Sequence, residues 1–173
     1  MLNVTRLLCG EPQPADGLRY GLGAGASERA SGRRPVVVWN VTRRCNLSCV
    51  HCYSNSDGRE YPGELTLGEC QAVIRDLAEF KVPAVLLSGG EPMLHPHFFE
   101  IAEAAVAAGL RVTLSTNGTR LNREAVRRLK GLGLAYVGIS LDGIGAVHDR
   151  FRGRPGAFDR AVTAFRLCRE EGQ

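Results

Sequence analysis

Four times between residues 35 and 171 a short apolar, β-branched run gives way to a polar turn and then to a stretch with apolar residues at helical spacing. That alternation confines the chain to an α/β fold on a parallel sheet, because parallel neighbours need a crossover, and a helix is the usual one. The runs cover residues 36–41, 82 or 84 to 87, 110–114 and 135–139, and the helical segments about 66–80, 96–108, 123–132 and 156–171. Thr66 followed by Glu69 reads as a capping box, Asn122 as an N-cap, and Gly109 and Gly133 as helix stops. The first helix is expected to bury Val73, Ile74, Leu77 and Phe80, and the first strand to be covered on both faces. Residues 55–63 form a polar connection, and the stretch carrying Asp149, Arg150, Arg152 and Arg154 reads as a loop. Right-handed crossovers then give a curved, partial (βα) barrel of four units. The chain stops where a fifth strand would start, so a truncated barrel with an unpaired fourth strand is expected. Residues 1–34, rich in Gly, Pro and Arg without period, are expected to be an extended or mobile leader to a domain of residues 35–173; within them Gly21, Gly23 and Gly25 resemble a phosphate loop only superficially.

The first strand runs straight into Cys45, Cys49 and Cys52, a C-x3-C-x2-C cluster of thiols. Thiolates are soft ligands: three of them can hold three irons of a cubane and leave the fourth iron exchangeable, or they can join His51 or a distant Cys around a structural zinc. Taken alone, the three residues fit both.

Composition narrows the setting. The 173 residues are 44% hydrophobic and 23% charged, ordinary values for a globular chain. A net charge of +4 with 6% aromatic residues gives no nucleic-acid footprint. The first residues lack the apolar core of a signal peptide, and no run reaches membrane-spanning length, so no membrane partner is expected. A reducing cytoplasmic setting follows, in which clustered Cys point to metal rather than to disulfides. Cys70 and Cys168 read as small core residues on helices, and Cys9 is unassigned.

Three further motifs stand where strands end: Ser88-Gly89-Gly90-Glu91-Pro92, Ser115-Thr116-Asn117-Gly118 and Ser140-Leu141-Asp142-Gly143. In α/β proteins ligands gather at that edge. With the Cys loop, they make the chain resemble the N-terminal part of a radical S-adenosylmethionine (SAM) enzyme over about residues 35–171. The stretches 39–47, 61–65, 138–144 and 148–152 are most similar to the haem d1 biosynthesis members of that family.

The resemblance implies a 4Fe-4S cluster on Cys45, Cys49 and Cys52, with SAM on its open iron. A donor such as ferredoxin or flavodoxin would reduce the cluster, and the resulting 5′-deoxyadenosyl radical would take hydrogen from a small-molecule substrate, a tetrapyrrole precursor. A peptide substrate is the alternative within the family; a non-catalytic cluster- or zinc-binding fragment is the alternative outside it. By the same resemblance Gly89 and Gly90 let the backbone approach the methionine end of SAM, and their carbonyls or Glu91 accept from its ammonium. Ser115 and Asn117, then Ser140 and Asp142, offer polar contacts to SAM; Arg152 pairs with its carboxylate, and His51 lies near its adenine. Arg150 and Arg154 are expected on a solvated loop, and His95, His97 and His148 facing solvent or capping helices.

Overall fold

The computed structural model describes residues 34–173. The expectations for the leader, for Cys9 and for Gly21 to Gly25 fall outside the described residues. Four strands, β1 (Val37–Thr42), β2 (Val85–Gly89), β3 (Val112–Thr116) and β4 (Tyr136–Ile139), form one parallel sheet in the order β1-β2-β3-β4. Helix α1 (Leu67–Glu79) joins β1 to β2. A 3-10 turn (Pro92–Leu94) and α2 (Phe98–Ala107) join β2 to β3, and α3 (Arg123–Leu132) joins β3 to β4. The short α4 (Ala146–Arg152) and α5 (Ala157–Glu171) follow. No helix of the described residues is long and apolar enough to cross a membrane.

The helix ends obey local chemistry. Thr66 Oγ1 accepts from the Glu69 N–H while Glu69 Oε2 accepts from the Thr66 N–H, the reciprocal cap expected of that pair. Asn122 Oδ1 accepts from the Ala125 N–H at 2.8 Å, and Gly133, at φ 80°, ends α3 in the left-handed conformation that costs glycine little.

The core lies on one side of the sheet. Val85 and Leu87 of β2 and Val112 and Leu114 of β3 point at Ile74, Phe98, Ile101, Val126 and Leu129 from the helices, and all are buried. Val37, Trp39, Val137 and Ile139 extend that face to the outer strands. Cys70 and Cys168 are buried in the same core. The alternate residues face the other way, and there the first strand departs from expectation: Val36 and Val38 are 61% and 58% exposed. A continuous apolar run suggests two covered faces, but the helices of the described residues pack on one side of the sheet, as in the wall of a barrel. Phe80 is likewise 49% exposed: as the C-cap of α1 it keeps helical backbone angles, and at about 100° per residue it falls roughly a quarter turn from the core-facing stripe of Cys70, Ile74 and Leu77. Toward the C-terminal ends of the strands the uncovered face turns polar, with Asn40 beside Ser88 and Ser115 beside Gly138.

The arginine-rich stretch expected as a loop contains α4. Gly145 (φ 54°) opens it and Gly153 (φ 65°) closes it, and its seven residues are too few to display a helical period in the sequence. Asp149 then accepts from the Gly156 and Phe158 N–H groups, at 2.7 and 2.8 Å, and so caps α5, whose own N-cap residue is glycine. The Phe158 and Gly156 N–H groups hold its carboxyl below the usual range.

Candidate functional site

The cysteine loop leaves β1 at Thr42 and is held along its length by backbone hydrogen bonds. On one side the Gly90 and Glu91 N–H groups donate to the Thr42 and Arg44 carbonyls at 2.8 and 2.9 Å. On the other the Ser48 and Val50 N–H groups donate to the Arg152 and Phe151 carbonyls, which ties the loop to the end of α4. The Cys45 N–H donates to the Asp57 carbonyl, and Glu64 accepts from the Thr42 hydroxyl and the Arg43 N–H.

These contacts supply a different reason for the two glycines. A Cβ on Gly89 would lie 2.3 Å from the Thr42 carbonyl oxygen, and one on Gly90 would lie 2.4 Å from that of Arg44 and 2.6 Å from that of Arg43. The glycines allow the end of β2 to touch the cysteine loop itself. Gly90→Ala forces backbone apart at a contact that no side chain can yield. It is expected to cost roughly 1–3 kcal/mol, as overpacking does, and to lower the urea midpoint.

A cavity of about 360 Å3 opens between the loop and the polar edge of the sheet. Its wall brings together Cys45, Cys49, Cys52, His51, Gly89, Gly90, Ser115, Asn117, Ser140, Asp142 and Arg152. Leu47, Tyr53, Ser54, Ser56, Ser88, Thr116 and Leu141 line it as well, residues that the sequence reading did not assign to the site.

Each cysteine sulfur already has a polar neighbour. Cys45 Sγ accepts from the Leu47 N–H at 3.4 Å, with the Asn117 amide nitrogen at 3.9 Å. Cys52 Sγ accepts from the Ser56 N–H at 3.4 Å and lies 3.4 Å from the Ser54 hydroxyl. Cys49 Sγ is 3.6 Å from a terminal guanidinium nitrogen of Arg152. Burial raises the Cys45 thiol pKa. At Cys52 burial acts in the same direction, but the Ser54 and Ser56 contacts together outweigh it and the pKa falls. The serines two and four positions past the last Cys were the signal available in the sequence.

Among the described residues no three His, Cys, Asp or Glu side chains converge as ligands of a single ion. A zinc knot needs its sulfurs all about 2.3 Å from one atom. Three thiols spread around one cavity, each with a donor aimed at it, suit a cluster that takes one iron per thiolate.

Glu91 is the exception among the expected site residues. It is fully buried and does not line the cavity: its carboxylate accepts from the Thr116 hydroxyl and the Asn117 N–H, each at 2.8 Å, and from the Met93 N–H at 3.2 Å. Burial raises its pKa, against the pull of those donors. The residue therefore fixes the end of β3 to the end of β2, and its fully buried carboxylate is not presented to the cavity. Asn117 in turn donates to Asn46 Oδ1 at 3.0 Å, and Asn46 Nδ2 donates to the Thr119 hydroxyl at 2.8 Å. Arg154, expected in solvent, donates to the Asn46 carbonyl at 3.1 Å.

Past β4, Asp142 Oδ2 lies 2.5 Å from Arg152 Nε, and Asp142 Oδ1 lies 3.6 Å from His51 Nε2. The Arg152 Nε–H is buried and not aligned on any acceptor, so its contact with Asp142 is one of charge rather than a directed hydrogen bond. His51 packs edge-on against Phe151 with ring centroids 5.6 Å apart. His148, expected at the surface or at a cap, is buried instead, and its Nδ1 accepts from the Asp142 N–H at 3.1 Å. Burial, then the nearby charge of Arg152, lowers its pKa, which suits an imidazole that accepts. His95 and His97 do stand at caps: His95, buried, closes the 3-10 turn and accepts the His97 N–H, and His97 is the N-cap residue of α2.

The model of the Radical SAM superfamily matches residues 39–173, most of the chain. The chain belongs to the radical SAM superfamily. It is 46% identical over 177 aligned residues to an Fe-coproporphyrin III synthase of Methanosarcina barkeri, an alignment covering 99% of the chain and 44% of that protein. It is 48% identical to a pre-heme d1 synthase of Dinoroseobacter shibae, over 80% of the chain and 34% of that relative. It is 43% identical to the mycofactocin maturase MftC of Mycobacterium tuberculosis, over 79% and 35%. The radical SAM chain thus spans less than half the length of these relatives. In fold it is similar to anSMEcpe with bound AdoMet, with a TM-score of 0.65 at 22% identity, covering 79% of this chain and 41% of that one. Streptococcus suis SuiB bound to S-adenosylmethionine gives 0.69 at 18%, covering 94% and 38%. The four parallel βα units are accordingly part of a radical SAM barrel.

Proposed function

We propose that this chain forms the cluster- and SAM-binding part of an enzyme that cleaves SAM reductively and takes hydrogen from a tetrapyrrole precursor in haem d1 synthesis. The observation that carries the reading is that three thiols and three strand-end motifs, far apart in sequence, line one cavity. When bound at Cys45, Cys49 and Cys52, such a cluster would supply the single electron that reductive cleavage of SAM requires.

The protein's part is to hold and orient. Cys45, Cys49 and Cys52 would hold the cluster. Ser115, Asn117, Ser140 and Asp142 offer hydroxyl, amide and carboxylate groups to a zwitterion and a ribose, and Arg152 offers a cation to a carboxylate. The carbonyls of Gly89 and Gly90 are the acceptors suited to an ammonium, since the Glu91 carboxylate is already engaged. His51 is suited to stacking against a nucleobase. The electron would come from a ferredoxin or flavodoxin, in the reducing cytoplasm.

The likeness to the pre-heme d1 and Fe-coproporphyrin III synthases supports a tetrapyrrole substrate. The likeness to mycofactocin maturase supports a second reading, in which the substrate is a peptide. The test begins with anaerobic reconstitution of the chain with iron and sulfide, then an electron paramagnetic resonance spectrum of the reduced protein with and without SAM. A cubane signal that SAM shifts is the expected result; bound zinc, or a signal indifferent to SAM, would sink the reading. Formation of 5′-deoxyadenosine stimulated by a tetrapyrrole rather than by a precursor peptide then separates the two substrates.

A further inference from the structure

Of the three sulfurs, Cys49 alone among the described residues is hydrogen-bonded to a formally charged group. Leu47 and Asn117 give Cys45 neutral donors, and Ser54 and Ser56 do the same for Cys52; Cys49 faces the guanidinium of Arg152 at 3.6 Å, across 103 positions of sequence. Arg152 is 9% exposed, so solvent screens its charge poorly. Its position is built. Its carbonyl accepts the Ser48 N–H of the cysteine loop, and a Cβ on the following Gly153 would lie 2.3 Å from the Ser48 carbonyl oxygen. The counter-charge is built too: Asp142 Oδ2 stands 2.5 Å from Arg152 Nε, and the backbone of Asp142 is fixed by donation to buried His148.

We propose that Arg152 and Asp142 are paired positioning residues that set the reduction potential of the cluster through the Cys49 sulfur, with opposite signs. This rests on the reading that the three thiols hold a [4Fe–4S] cluster. Reduction adds one electron and neither makes nor breaks a bond, so a fixed charge near a ligand sulfur acts directly on the equilibrium. The Arg152 cation favours the more negative, reduced state. Asp142 offsets part of that charge and aims the guanidinium. A purely structural pair would behave otherwise, since losing either half would disturb the same contact in the same direction.

The test is a potentiometric titration of the reconstituted full chain with dithionite, without SAM, following the reduced-cluster resonance, with iron and sulfide assayed for every variant. Arg152→Gln is expected to make reduction roughly tenfold less favourable, a midpoint lower by about 59 mV for one electron. Asp142→Asn is expected to move the midpoint upward, and Arg152→Lys to stay nearer the wild type than Arg152→Gln. Should Arg152→Gln fail to keep its cluster, Asp142→Asn carries the test. Unmoved midpoints at full cluster content, or movement of Asp142→Asn in the downward direction, overturn the inference alone. A wild-type chain that takes up no iron and sulfide overturns the cluster reading beneath it.

Discussion

Replacing Cys45, Cys49 or Cys52 by Ala, one at a time, is expected to remove the cluster in each case, read as loss of iron, labile sulfide and the visible charge-transfer absorption. Each thiol has its own stretch of the cavity wall and its own donors, so none can stand in for another. Cys70 and Cys168 provide the contrast. Both are buried in the helix-side core, away from the cavity, and burial raises both thiol pKa values. Their Ala variants should keep full cluster content and lose roughly 1 kcal/mol of stability, the central tendency for a single substitution. Full iron and sulfide in all three loop variants would end the proposal that this loop is the cluster site.

Glu91 carries the second large effect, and it concerns stability before chemistry. Glu91→Ala leaves the Thr116 hydroxyl and the Asn117 and Met93 N–H groups with no acceptor, in a place water does not reach, and also opens a void. A cost of about 3–5 kcal/mol is expected, measured as a fall in the urea midpoint. Glu91→Gln keeps the shape but turns an amide NH2 toward a donor, so about 1–3 kcal/mol should be lost. The sign of the pH dependence follows from burial. Because the folded-state pKa is raised above the unfolded one, the margin of wild type over Glu91→Gln is full below the unfolded pKa and shrinks as pH rises through the folded value. A margin that grows with pH would refute this account of the residue.

Much of the fold could be read from the sequence because its cues are local. The Thr66–Glu69 box, the Asn122 cap and the Gly133 stop act within one helical turn, and each sits where the spacing put it. The grouping of the three loop thiols was legible for a similar reason, since Cys45, Cys49 and Cys52 lie within eight residues of one another and come out on one cavity wall. What escaped depends on contacts across the chain. Nothing near Glu91 in sequence says that its partners are Thr116 and Asn117, so a conspicuous acid in a glycine-rich turn read as a ligand contact. Gly89 and Gly90 were marked as places where SAM would approach the backbone, and the contact the structure shows there is with the protein's own loop. Arg154 and His148 looked like surface residues because short polar stretches carry no periodicity, and α4 was missed with them.

The docking of the cysteine loop against the end of α4 also bears on the order of events during synthesis. Chains emerge from the ribosome N-terminus first, at several residues per second, and fold as they emerge. The three thiols therefore appear in the cell well before Phe151, Arg152 and Gly153, the residues that close the far side of their cradle. In that interval they sit on a loop beyond a strand whose partners are still being made, open to oxidation or to the wrong metal. For the proposed cluster, delivery of iron and sulfide after Gly153 has emerged and docked, rather than before, is the course this architecture favours.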